Sequence, residues 1–195
     1  MSADSSVTET LRFPSISLTH DDFAPMAQGA RSNGLFRGLT DADAETVLSY
    51  CRYCVVNSGV TIIEEGTQAD FMMFVAEGQL NVTRTDPVGQ KVSLGTVSIG
   101  AILGESAITD RAVRFASVQT ATRCAVGVLY RDAFRRMSIA HPETALALVT
   151  SLFNQTNQRL RNVAEQLVKS VAVRSAAEQT VELLSKVLFD RRSAR

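Results

Sequence analysis

Between Leu103 and Val118 the chain reads LGESAITDRAVRFASV, and this stretch holds the residue types that a ribose phosphate needs. Gly104 gives a backbone that can come close to a ligand and take dihedrals other residues avoid. Backbone N–H groups at the start of a short helical turn, around Ser106 and Ala107, can face an anion. Arg114 offers a planar fork of donors that matches phosphate oxygens. Glu105 only accepts hydrogen bonds, so it suits sugar hydroxyls rather than phosphate. Each also has a plainer reading. Gly-Glu is a common dipeptide, a lone arginine is often a surface group, and Glu105 and Arg114 can pair with each other.

The chain before this stretch reads as the scaffold that positions it. Val60–Ile63 is β-branched throughout, Phe71–Val75 is a continuous apolar run, and Leu80–Arg84 alternates. Gly59, Gly66, Gly78 and the Asp86–Gln90 turn punctuate them. Lys91–Leu94, Thr96–Ile99, Ala116–Thr120 and Cys124–Tyr130 continue in strand style. Many short strands with glycine punctuation predict an antiparallel sandwich, roll or barrel. Ahead of them, Thr40 is placed to cap a helix from Asp41 to about Tyr50. Residues 1–30 lack periodicity and read as a flexible N-terminal arm, although Leu11, Phe13, Ile16, Leu18 and Phe23 could dock on the domain.

The last third changes period. Asp132–Ala140 reads as a short helix, and Pro142 suits the first turn of a long one. Ala145, Val149, Leu152, Phe153, Thr156, Leu160, Val163, Leu167 and Val171 recur at close to helical spacing. Such a stripe fits a helix that packs on its twin in a homodimer through residues 142–171, or one that lies across its own domain. A second, shorter helix is expected from Ala177 to Phe189, with Ala177, Val181, Leu184 and Leu188 on one face, then a frayed basic tail. The expected division is an arm at 1–30, a roll with flanking helices at 31–140, and helices at 141–195.

Of the 195 residues, 45% are hydrophobic and 21% charged with a formal net charge of zero, an ordinary globular composition without the basic excess of a nucleic-acid surface. No apolar run approaches the ~20 residues of a membrane helix. The N-terminus lacks the pattern of a signal peptide, so the cytoplasm is the expected compartment. Three cysteines, Cys51, Cys54 and Cys124, argue against a disulfide scaffold. Cys51-Arg-Tyr-Cys54 has the spacing of half a zinc site, but His20 and His141 lie far off in sequence, and buried thiols are the expectation.

This arrangement resembles the cyclic nucleotide-binding domain family shared by catabolite activator proteins, kinase regulatory subunits and gated channels. The segment from Ile62 to Gly78 follows the family's glycine-punctuated half, and Leu103-Gly104-Glu105-Ser106-Ala107-Ile108, five residues and Arg114 follow its phosphate-binding cassette. The resemblance covers about residues 33–170. It implies a mainly β fold with helices, an antiparallel β-roll followed by a long C-terminal helix and a shorter one. By matching position, Arg114 would pair with the exocyclic phosphate and Glu105 would accept from the ribose 2′-hydroxyl. N–H groups near Ser106 and Ala107 would complete the cradle, and Gly104 would let the turn form.

Two departures stand out. The residue after the arginine, with Ala116 next to it, borders the same site; the family usually has Ser, Thr or Ala there, and this chain has Phe115. A ring pointing inward would crowd the phosphate, and one pointing outward would spare it. The Thr that often favours guanine is absent, so cAMP is preferred over cGMP as the expected ligand. Ser106, where the family often has Leu, is a smaller departure. The transcription-factor branch carries a helix-turn-helix after its helices, whereas six residues follow Phe189 here, so direct DNA binding is not expected.

The resemblance therefore implies a non-enzymatic sensor without cofactor or metal, signalling through its C-terminal helix to an unidentified effector protein. Arg159 and Asn162 on that helix are candidates for purine contacts. The alternatives are a degenerate fold kept for protein interaction, or the sensor part of a transcription regulator.

Overall fold

Among the described residues nine strands form two antiparallel sheets. The first has five strands: β1 (Ile16–Leu18), β2 (Arg52–Val56), β4 (Phe71–Glu77), β7 (Ile102–Leu103) and β9 (Cys124–Tyr130), in the order β1-β2-β9-β4-β7. The second has four: β3 (Thr61–Ile63), β5 (Gln79–Thr85), β6 (Lys91–Ser98) and β8 (Ser117–Thr120), in the order β3-β8-β5-β6. The structure is a computed structural model that describes residues 13–31, 34–68, 70–109 and 113–193.

The five-stranded sheet is covered on both faces, which explains the unbroken apolar run in β4. Alternate residues of its strands, Cys54, Val56, Met73, Val75, Val126 and Val128, face Ile63, Leu80 and Val118 of the other sheet. The intervening residues Tyr53, Val55, Met72, Phe74 and Leu129 face helices. Those helices are α1 (His20–Arg31), α2 (Asp41–Ser49), α4 (Arg131–Ala140) and the start of α5 (Pro142–Ser193). The short α3 (Ser106–Thr109) interrupts the path from β7 to β8. The expected β-roll is present. β3, β4, β5, β8, β9, α2 and α4 fall where the sequence pattern puts them.

Three expectations need correction. Residues 13–31 are not a flexible arm: β1 pairs antiparallel with β2, Phe13, Phe23 and Ala27 are buried, and Phe23 stacks on Tyr53 with centroids 4.3 Å apart. Ile16 is exposed and Leu11 lies outside the described residues. The segments Lys91–Leu94 and Thr96–Ile99 are one strand, β6, with Leu94 as the extra residue of a bulge opposite Val82–Thr83.

The third concerns the C-terminal helices, which are a single helix, α5, rather than a long one and a shorter one. No Gly or Pro lies between Leu167 and Ala177 to end it. The side chains of Ala177, Val181, Leu184 and Leu188, and the last two residues of the basic tail, lie outside the described ones.

The chain divides into two units, residues 1–152 and 153–195, which meet inside α5. Within the first unit Ala145, Leu148 and Leu152 join the core, and the Thr144 hydroxyl donates to Asp43 Oδ1 at 2.7 Å. Within the second, Leu160, Val163, Leu167 and Val171 are exposed.

Candidate functional site

Arg114 is the buried charge among the described residues of the first unit. Its side chain is only 6% exposed, although it lies between a surface residue, Val113, and the exposed Phe115. Backbone bonds fix it at the start of the strand path into β8: its N–H donates to Thr67 O at 2.8 Å and its carbonyl accepts from Gly66 N–H at 2.9 Å. The Glu64–Thr67 turn that supplies both partners needs Gly66 at φ +78°.

The guanidinium is positioned by backbone and by an aromatic ring. Nη2 donates to Phe71 O at 2.7 Å, Nη1 donates to Gly104 O at 3.4 Å, and Cζ stands 4.4 Å from the Phe71 ring centroid. Burial pulls the Arg114 pKa below its ordinary value; the fields of Asp70 and Glu105 oppose this and that of Arg131 adds to it. Arginine stays charged regardless. A cation largely removed from water, facing an adjoining cavity, is a favourable place for an anion.

That cavity has a volume of about 260 Å³ and is lined by Thr61, Ile63, Thr67, Asp70, Phe71 and Arg114 among others. It is near the lower end of small-ligand pockets, which run from roughly 300 Å³ upward. The wall on the far side of the guanidinium is Gly104. Its φ is +73°, and a Cβ there would stand 2.1 Å from Arg114 Nη1 and 3.2 Å from Phe71 O. Gly104 is therefore required both for its dihedral and for the space the arginine occupies.

The structure brings Gly104, Glu105 and Arg114 together and spreads the remaining expected residues. Ser106 is exposed and Ala107 fully buried. The Ala107 N–H donates to Gly104 O at 3.0 Å within the turn, so it serves the turn rather than an open cradle. Ala116 is half-buried. Phe115 points outward: the residue is 66% exposed and the Arg84 guanidinium lies 3.7 Å from its ring centroid. Arg159 and Asn162 lie in the second unit, where both are exposed and Asn162 Oδ1 accepts from Gln158 Nε2 at 3.0 Å.

Sequence reasoning missed Phe71, Asp70, Arg131 and Arg84. Arg131 Nε donates to Ala107 O at 2.6 Å, and its backbone N–H donates to Asp70 O at 2.9 Å, tying α3 and the strand entering β4 to the start of α4. A basic residue directly after a strand was the only signal for it. The cysteines are buried or half-buried; burial pushes Cys51 and Cys54 up, the latter to about 11. Among the described residues no group of three His, Cys, Asp or Glu is arranged to hold a metal, and no helix is long and apolar enough to cross a membrane.

Residues 54–141 match the family model of the cyclic nucleotide-binding domain. The match spans the β-roll from β2 through α4. The chain is similar to the cAMP-activated global transcriptional regulator of Haemophilus influenzae, 27% identical over 140 residues that cover 71% of this chain and 62% of that protein. It is also similar to a cGMP-dependent protein kinase of Caenorhabditis briggsae, 31% identical over 115 residues, or 55% of this chain and 15% of the kinase. The chain thus spans less than two thirds of either relative. A cyclic nucleotide-binding domain from Methylobacillus flagellatus shares the fold, with a TM-score of 0.70, 20% identity, and coverage of 81% of this chain and 89% of that one.

Proposed function

We infer that the chain is a non-enzymatic cyclic nucleotide sensor whose ligand site is built around Arg114. The observation that carries this is the guanidinium itself, buried at the wall of a cavity, clamped by the carbonyls of Phe71 and Gly104 and backed by the Phe71 ring. An exocyclic phosphate entering there meets a cation already oriented and desolvated, so little reorganisation opposes binding. Glu105, close enough for its field to act on Arg114, accepts from the ribose 2′-hydroxyl. The outward Phe115 leaves the phosphate position clear. Cyclic AMP is favoured over cyclic GMP, since the Thr that often favours guanine is replaced. The ligand's effect passes to the start of α5 and onward to a separate effector protein. The cytoplasm is the matching compartment.

The test is a thermal-shift titration with cAMP and cGMP, beside Arg114→Ala. A ligand that binds only the folded state raises the melting temperature with concentration. A rise in the wild type that vanishes in the variant supports the sensor. A second reading, a fold kept for protein interaction, draws on the fact that Arg114 is already bonded to two carbonyls within the chain. No rise with either nucleotide at millimolar concentration would favour it.

A further inference from the structure

Arg114 and its neighbour Phe115 face opposite ways: the first is 6% exposed and the second 66%. On the inward side the carbonyls of Phe71 and Gly104 fix the guanidinium. The outward side is fixed as well. The Arg84 guanidinium, near the end of β5, lies 3.7 Å from the Phe115 ring centroid, and Arg84 Nε lies 3.9 Å from Glu65 Oε1. Glu65 belongs to the Glu64–Thr67 turn, which holds Arg114 by its backbone through Gly66 N–H and Thr67 O. It also ties that turn to two strands. Its N–H donates to Ser117 Oγ of β8 at 3.0 Å, and its Oε2 accepts from Thr85 N–H of β5 at 2.9 Å. Glu65, Arg84, Phe115 and the Arg114 backbone thus close a ring of contacts around the turn.

We propose that Glu65, Arg84 and Phe115 form an outer clamp that positions Arg114: they pin the backbone on one side so that the guanidinium stays at the cavity wall on the other. This rests on the sensor reading above and adds positioning residues that touch no ligand. An arginine that meets phosphate with a planar fork gains from a fixed backbone, because any freedom left to it must be removed on binding. The bonds to Gly66 and Thr67 fix Arg114 to the turn but not the turn to the sheet. Glu65 supplies that second link. Neither Arg84 nor Phe115 belongs to the apolar cores, so the clamp holds a local segment rather than the roll. Phe115, where the family it resembles usually has a small residue, then serves the site from outside; a small side chain there could not reach Arg84.

Calorimetric titration of the full chain with cAMP, cGMP and cCMP tests it, on the wild type, Phe115→Ala, Phe115→Tyr, Arg84→Gln and the double variant Phe115→Ala with Arg84→Gln. Phe115→Ala and Arg84→Gln are each expected to weaken every nucleotide that binds by the same factor, about two- to fivefold, the scale of one exposed cation–π contact. Phe115→Tyr keeps a ring against the guanidinium and restores wild-type affinity. The double variant loses no more than either single one, since both break the same contact. Wild-type affinity in both single variants overturns the clamp and leaves the sensor standing. So do additive losses in the double variant, and so does a loss that falls on one base and spares the others, which marks direct contact with the ligand. Binding of no cyclic nucleotide by the wild type overturns both.

Discussion

The strongest single-residue constraint falls on Gly104, which carries a left-handed backbone and an arginine nitrogen where a Cβ would sit. Gly104→Ala must relieve a 2.1 Å approach to Nη1 by moving the guanidinium, and it strains a φ of +73°. The expected cost is about 1–2 kcal/mol of stability from the dihedral alone, read by urea denaturation, with at least roughly tenfold weaker cyclic nucleotide binding as Arg114 leaves the cavity wall. Binding at wild-type affinity would show that the guanidinium position is immaterial. Gly104, Glu105 and Arg114 were legible because their spacing is local and follows a known cassette. Phe71 and Asp70 were not, because they reach the site from the start of β4 and only the fold brings them there. The orientation of Phe115 depended on a stacking partner 31 positions earlier in the chain, beyond any local pattern.

At the scale of elements, two helices open with the same device and were read differently. Thr19 and Asp22 form reciprocal side chain–backbone bonds at the start of α1, and Thr40 caps α2 by accepting from the Asp43 N–H. The helix after Thr40 announces itself through Ala44, Val47 and Leu48. The one after Thr19 has, among its described side chains, Phe23 and Ala27 fully buried and carries Pro25 inside it, so its periodicity is hidden. β3, β4, β5, β8 and β9, by contrast, were legible from β-branched or apolar runs and turn glycines, whereas β1 and the two-residue β7 were not.

Asp43 does more than cap. Its carboxylate accepts from the Thr40 hydroxyl at 2.6 Å and from the Thr144 hydroxyl at 2.7 Å, joining α2 to the first turn of α5. These bonds, Thr40 first, hold its pKa below the ordinary carboxylate value, against a smaller upward push from burial. A carboxyl with a depressed folded-state pKa stabilises above its unfolded value of about 3.9, and that contribution is lost as pH falls through the folded value. Asp43→Asn should therefore lower the melting temperature at neutral pH and leave it less dependent on pH below about 4. Parallel melting curves for wild type and variant across that range would contradict the linkage.

For the whole molecule the open question is what covers the second unit. Its helix presents Phe153, Leu160 and Leu167 at intervals of seven residues, with Val163 between the last two, and each is more than half exposed. A single helix in water gains nothing from such a stripe, whereas two copies side by side bury it, and a seven-residue repeat gives the left-handed seam of a two-stranded coil. Each leucine removed from water contributes about 1.5–3 kcal/mol, and a symmetric pair counts it twice. Sedimentation equilibrium is therefore expected to give twice the 21.1 kDa chain mass at micromolar concentration. Leu160→Asp with Leu167→Asp should weaken association by more than roughly a hundredfold, leaving the thermal transition of the β-roll in place, since neither residue belongs to its core. A wild-type chain that sediments as a monomer at about 100 µM, a concentration at which even an association of ~5.5 kcal/mol would half-populate the pair, would show that the stripe is covered by something other than a second copy.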